Sequence, residues 1–219
     1  MTYERPSTVE RAVVAEMRRM ILQGDLKPGS VISLDEVAKT FGVSRVPVRD
    51  ALRILEGEGL VVAQPHKGYQ VARLDMSELE EITEIRQILE TDAIIRAAEH
   101  LTDEKAAKMA GLLERMIELE DTGDMANWVG VHREFHFVIF DAADSTVLVH
   151  TLHTLWNASD LYRAEYLNSK EARRAASGQH GQLVEAVRAR DLVQLISVMT
   201  SHRRSTVAAL TEALPHARA

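Results

Sequence analysis

The stretch LKPGSVISLDEVAKTFGVSRVPVRDALRILEGEGL, residues 26–60, decides the fold of the first third of the chain. Leu26-Lys27-Pro28-Gly29 reads as a turn. Ser33 and Glu36 have capping-box spacing, in which each side chain satisfies a free N–H at a helix start. The helix they open buries Val37 and Phe41 and stops at Gly42. Ser44 opens a second helix, with Pro47 in its first turn, where the missing N–H costs nothing. Val48, Leu52 and Leu55 repeat at helical spacing and form its buried stripe, and Gly57 and Gly59 end it. Arg45 and Arg49 are four apart and share a different face.

Working outward, an earlier helix begins at Ser7, capped with Glu10, and carries an apolar stripe of Val9, Val13, Met17, Met20 and Ile21. After the stretch come two strand-like runs, residues 60–64 and 69–73, joined by Pro65-His66-Lys67-Gly68. Gly68 supplies the positive φ of a tight loop. Helix, turn, helix and a two-stranded wing form a DNA-binding arrangement. Arginine forks onto guanine or clamps a phosphate, and a serine at a helix start donates to a phosphate beside free backbone N–H groups. The competing reading is a solvated helix with two surface arginines and a chance hairpin.

The pattern changes near Leu74. From there the sequence reads as helix, giving two domains, residues 1–74 and 75–219. Ser77 and Glu80 form another capping box before a long helix with Ile82, Ile85, Leu89 and Ala93 on one side. Further helices are predicted over 103–121, 125–142, 146–166, 171–189 and 192–213. Six helices without a strand signal make a bundle. The fold class is therefore mainly α: an N-terminal winged helix-turn-helix and a C-terminal all-α bundle.

Composition narrows the function. The chain has no cysteine, so thiolate metal sites and disulfides are excluded. No apolar run approaches a membrane span, and MTYERPSTVE lacks an apolar signal core, so a cytoplasmic protein without membrane contact is expected. Net charge is −7, but residues 1–74 carry 11 Lys/Arg against 9 Asp/Glu, and the remainder 15 against 24. The first third tolerates phosphate and the acidic remainder repels it.

The bundle holds one motif with metal chemistry. In H-R-E-F-H, His132 and His136 lie one helical turn apart on one face, a bidentate grip, and His180 and His202 fall on later helices. Converging, these imidazoles would hold Zn²⁺, Ni²⁺ or a similar ion. Otherwise they are separate buried or surface histidines among the nine of the chain. H-R-E-F-H is not H-E-x-x-H: Glu134 lies midway between the histidines and points elsewhere, which weighs against a metallohydrolase. Trp128, four residues before His132, reads as core or as pocket lining.

Residues 26–60, with G-V-S-R-V-P-V-R-D-A-L at their centre, and the following P-H-K-G-Y-Q-V closely resemble the GntR family of bacterial regulators. The resemblance implies DNA contacts at Ser44, Arg45, Arg49, His66, Lys67 and Gly68. Asp35 stands where some relatives carry a basic contact. Residues from about 75 to 210 resemble the FCD ligand-binding domain of the FadR-like branch, through E-I-R-Q-I-L-E (84–90), F-H-F-V-I-F-D-A-A-D (135–144), Q-H-G-Q-L-V-E-A-V-R-A-R-D (179–191) and His202. It implies a divalent metal at His132, His136, His180 and His202. An Asp or Asn is usual at the first position, and an all-histidine set favours nitrogen-loving Zn²⁺ or Ni²⁺ over Mg²⁺ or Ca²⁺. Arg86 sits on the helix that lines the pocket in relatives. It either binds a ligand carboxylate against the metal or pairs with Glu90 one turn on.

The expected function is a ligand-responsive transcriptional regulator, read as a repressor. A homodimer would bind palindromic double-stranded operator DNA and sense a small organic acid at a metal site. The rivals are a metal-dependent enzyme in the helical domain and a DNA-binding dimer without an effector. Arg49→Ala is expected to weaken specific DNA binding by about 1–3 kcal/mol if the side chain reads a base. Titrations on a specific and a scrambled duplex decide: equal losses make Arg49 a phosphate contact, and no loss on either removes this helix from the groove.

Overall fold

A computed structural model describes residues 8–65, 68–167 and 169–213. The chain divides into two compact units after Leu74. The expected cap at Ser7 and the wing residues His66 and Lys67 lie outside the described residues.

The first unit runs α1 (Thr8–Leu22), β1 (Val31–Ile32), α2 (Leu34–Phe41), α3 (Arg45–Gly57), β2 (Val61–Gln64) and β3 (Gly68–Val71). α1 packs on α3, with Val13, Met17 and Ile21 against a stripe of Val48, Leu52 and Leu55, all buried. Val9, expected in that stripe, is exposed instead. A bidentate Arg18–Glu58 ion pair, 2.6 Å at its shortest, ties α1 to the end of α3. The Ser33 hydroxyl accepts from the Glu36 N–H at 3.3 Å, and Gly42 ends α2 with φ +65°. The wing has three strands rather than two, in the order β1-β3-β2, all antiparallel. β1 contributes Val31 opposite Gln70 and Ile32 opposite Tyr69. Two residues cannot display an alternation, so periodicity misses such a strand. Gly68 enters β3 with φ +84°, a conformation that costs other residues a Cβ clash.

The second unit is six helices: α4 (Met76–Ala97), α5 (Asp103–Leu119), α6 (Met125–Phe140), α7 (Thr146–Tyr166), α8 (Lys170–Ala189) and α9 (Leu192–Ala213). Short 3₁₀ turns follow α4 and α6. α6 is covered nearly all round, with Trp128, Val129, Val131, Phe135, Phe137, Val138, Ile139 and Phe140 buried. A helix apolar on every side belongs in the centre of a bundle, and α6 packs against α4, α5 and α7, while α8 lies against α5 and α9.

α4 departs from its sequence reading twice. Its N-cap is Asp75, whose carboxylate accepts from the Ser77 N–H at 2.9 Å, so Ser77 lies inside the helix. Its buried face is Leu79, Ile82, Arg86, Glu90, Ala93, Ile94 and Ala97, and Ile85 is exposed. Ile82 and Ala93 are buried as expected, but two charged residues, Arg86 and Glu90, face the core at the i, i+4 spacing that an apolar pattern would occupy, and apolar periodicity could not place them there. Among the described residues no helix is long and apolar enough to cross a membrane.

Candidate functional site

The centre of the second unit gathers four histidines from three helices. α6 brings His132 and His136 one turn apart, α8 brings His180 and α9 brings His202. Each offers one ring nitrogen to a cluster whose atoms all lie within 4.8 Å of one another. The His136 Nε2 is 3.2 Å from that of His132 and 3.1 Å from that of His180. All four side chains are buried. Trp128 stacks on His132 at 5.0 Å, the Phe135 edge meets His180, and Trp156 lies 5.0 Å from His136. Burial, and then the neighbouring imidazoles, push His132 and His136 far below the ordinary imidazole value. Burial and His202 do the same to His180. Burial lowers His202 to about 4, although Glu90 opposes the shift. The rings are therefore neutral at pH 7, the form that ligates a metal.

His202 shows how its ring is aimed. Its Nδ1–H donates to the Gln179 side-chain oxygen at 2.8 Å, and the Gln179 amide donates to Ser205 Oγ at 3.2 Å. That chain fixes the tautomer and leaves the Nε2 lone pair for the cluster, the usual outer support of a metal-binding histidine. The close Nε2 contacts test whether an ion fits. Ring nitrogens bound to a common centre at about 2.0–2.1 Å stand roughly 3 Å apart, and the His136 contacts match this spacing. Facing one another without an ion, such nitrogens share too few protons to satisfy every lone pair. The residues present fit a divalent ion held by nitrogen.

Beside the cluster lies a cavity lined in part by His132, His136, His202, Arg86, Trp156 and Ser159. Trp156 rather than Trp128 is the tryptophan that lines it. Arg86 does have a partner: its guanidinium meets Glu90 at 2.8–2.9 Å. Glu90 is fully buried and also accepts from Trp156 Nε1, at 2.8 Å, and from Arg203. Burial would raise its carboxyl, but Arg86 and Arg203 outweigh that and hold it below the usual range. The intradomain ion pair is thus present, and Arg86 still faces the cavity. Glu134 lies outside the cluster, half exposed and 3.5 Å from Lys108. His153 is also outside it, stacked on Phe137 and beside Arg133.

In the first unit Ser44, Arg45 and Arg49 are exposed at the start of α3, clear of its buried face. Ser44 is the N-cap residue, but its side chain makes no capping bond. Arg45 forms an exposed ion pair with Asp35 on α2. Gly68 is exposed at the wing. Reading the sequence missed Asp35 as the partner of Arg45, and Gln179, Ser159, Arg163 and Arg203 around the histidines. Gln179 precedes His180 and Arg203 follows His202, so proximity to named residues was the available signal for these two, while Ser159 and Arg163 had no such neighbour.

A model of the FCD domain matches residues 81–205, and one of the bacterial regulatory proteins of the gntR family matches residues 9–71. The chain is 29% identical over 179 residues to the HTH-type transcriptional regulator McbR of Escherichia coli K12, covering 80% of each chain. It is 25% identical over 194 residues to the HTH-type transcriptional repressor RspR of the same organism, covering 89% of this chain and 85% of RspR. The solved structure of E. coli McbR/YncC superposes with a TM-score of 0.78 at 24% identity, over 94% of this chain and 99% of that one. A structure described as a GntR regulator from Rhodococcus sp. RHA1 gives 0.74 at 18%, over 94% and 99%. These likenesses in structure carry the fold.

The depressed imidazoles make stability depend on pH in a definite direction. In the unfolded chain each histidine titrates near about 6.5. Above that pH both states are neutral and nothing is lost. Below it the unfolded chain takes up protons that the folded cluster refuses, so stability falls as pH drops from about 6.5 toward the folded values, about 4 for His202. Each histidine contributes up to about 1.4 kcal/mol per pH unit. Urea midpoints of chelator-treated protein between about pH 7.5 and 5 should fall accordingly; a flat profile would mean that the rings protonate normally.

Proposed function

Because the chain belongs to the GntR family of bacterial regulatory proteins and carries the FCD domain, it is a DNA-binding transcriptional regulator, and we propose that a ligand held on a histidine-bound metal sets its affinity for operator DNA. The observation that supports this most is the convergence of four neutral, buried imidazoles from three helices beside a cavity. His132, His136, His180 and His202 would hold one divalent transition ion, Zn²⁺ or Ni²⁺, and Gln179 would keep His202 in the ligating tautomer. When bound, the ion supplies a fixed positive charge to which a small carboxylate can attach. Arg86 would meet the same organic acid from the cavity wall.

Ser44, Arg45 and Arg49 would present α3 to the major groove, with His66, Lys67 and Gly68 as the wing contacts. A homodimer would match a palindromic operator, and as a cytoplasmic repressor it would release that operator when the ligand binds. Relatives with these domains are transcriptional regulators, which sets the enzyme reading aside.

One residue offers a route from cavity to linker. Tyr162 lines the cavity and is buried. Its hydroxyl accepts from the Asp75 N–H at 3.0 Å and shares its proton between the Asp75 carbonyl, at 3.0 Å, and Glu78, at 3.2 Å. Asp75 is the N-cap of α4 and the first residue after the DNA-binding unit. Contents of the cavity that move the phenol would therefore alter how the linker enters α4. The coupling would run through this one hydrogen-bonded group.

Purified protein given Zn²⁺ or Ni²⁺ is expected to retain one ion per chain and melt at higher temperature, because the ion ties folded helices together. His180→Ala should abolish most of that rise, while His153→Ala should preserve it. Metal analysis that finds none, with an unchanged melting curve, would remove the metal from the reading and leave the DNA-binding assignment intact. Tyr162→Phe should keep the ion but reduce the difference in affinity, between Zn-loaded and chelator-treated protein, for a duplex selected from random sequence. An undiminished difference would place the coupling elsewhere.

A further inference from the structure

Three guanidiniums, Arg86, Arg163 and Arg203, line the same cavity as His132, His136 and His202, with two carboxylates paired behind them. Glu90 accepts from Arg86 and Arg203. Asp160 accepts from Arg163 and Arg133, the latter at 3.2 Å. Each carboxylate is thus shared by two cations. Among the described residues the three cavity-lining guanidiniums exceed their two carboxylates by one positive charge, in a place where Arg86, Arg163 and Arg203 are all buried. Burial lowers the Arg163 guanidinium to about 10 even with Asp160 opposing. Uncompensated charge away from water is expensive, and the neutral histidines do nothing to offset it.

The donors of two of these arginines are aimed at one point. Arg86 Nη1 and Arg163 Nη2 donate to the same atom, Ser159 Oγ, at 3.1 and 3.0 Å, while that hydroxyl donates to the Trp156 carbonyl at 3.0 Å. Both guanidinium carbons lie 4.2 Å from the centroid of the Trp156 ring. A neutral hydroxyl is a weak acceptor for two charged forks, and a carboxylate oxygen satisfies them better. Arg86, Ser159 and Arg163 line the same cavity as His132, His136 and His202. Trp156 touches both ends, standing 5.0 Å from His136, so the guanidinium end and the imidazole end are separated by little more than one indole.

We infer that the effector carries two anionic groups on a short carbon chain, one directed to the histidine-bound ion and the other to the Arg86–Arg163 pair at Ser159. This rests on the metal-held ligand proposed above. One carboxylate would reach either the ion or the two donors now held by the Ser159 hydroxyl, whereas a dicarboxylate of three or four carbons answers both. Arg203 and Glu90 stay as the inner pair that holds Arg86 in place.

Calorimetry on the full-length, Zn-loaded protein tests this with matched probes: succinate against butyrate, and malonate against propionate. Each pair differs by one carboxylate at constant chain length. The dicarboxylate of each pair should bind at least about tenfold more tightly, the worth of a charge-assisted contact. Arg163→Gln should bring the two affinities of a pair together while the zinc content stays unchanged. Equal affinities within both pairs in the unaltered protein, or no binding of any probe, would overturn the two-anion inference with the metal still in place. Loss of the sensor reading itself would show separately, as protein that holds no zinc. The probe comparison needs no variant, so it stands even where Arg163→Gln does not fold.

Discussion

Four imidazoles cannot be buried together as cations, and the second unit is built around that restriction. Charging even one of them inside the bundle would place a cation away from water, and charging a second would set two cations within a few ångströms of each other. The fold keeps them neutral by burial, which leaves lone pairs converging at the centre of the bundle. Aromatic rings supply the walls because they fill volume without competing for those lone pairs. Trp128 against His132, Phe135 against His180 and Trp156 against His136 all serve that end.

The same centre forces a second arrangement on α4. Arginines in a core need acids at their side. Glu90 meets that need from the middle of α4, reaching Arg86 one turn earlier, Trp156 on α7 and Arg203 on α9. One buried carboxylate therefore links three helices. Replacing it would leave two guanidiniums unanswered, which is costlier than the loss of any single hydrogen bond. α4 also begins at Asp75, under the Tyr162 hydroxyl. The helix that carries the charge network is thus the one that leads from the DNA-binding unit.

Legibility in the sequence followed the nature of each signal. The winged unit was readable because its elements are short, capped and strictly periodic: Ser33 with Glu36, Gly42, and the Val48–Leu52–Leu55 stripe each stand where local rules put them. The two-residue strand β1 was not, since its pairing with Gln70 and Tyr69 exists only in three dimensions. In the bundle the six helices and the four histidines could be named, but their convergence could not, because His136 and His180 are 44 positions apart in the chain. The exposed Ile85 and buried Glu90 reversed an apolar pattern. A reading that counts hydrophobic residues fails where paired charges lie inside.

The ion pair between Asp35 and Arg45 bears on how such an acidic chain reads DNA. Both side chains are exposed, 64% and 66%, so the pair adds little to folding stability. Its effect falls on the exposed start of α3, the surface proposed to meet DNA. It partly cancels one of the two arginines at the start of α3, in a unit whose formal balance is only two positive charges. Generalised attraction to phosphate is correspondingly weak. A protein built this way gains little from non-specific binding and must rely on directed contacts. An Asp35 carboxylate holding Arg45 at Nε restrains that side chain while its terminal nitrogens stay available to a base edge. On the proposed interface, the acid at position 35 would lower affinity for arbitrary DNA more than for a site that the oriented arginine fits, serving discrimination rather than strength.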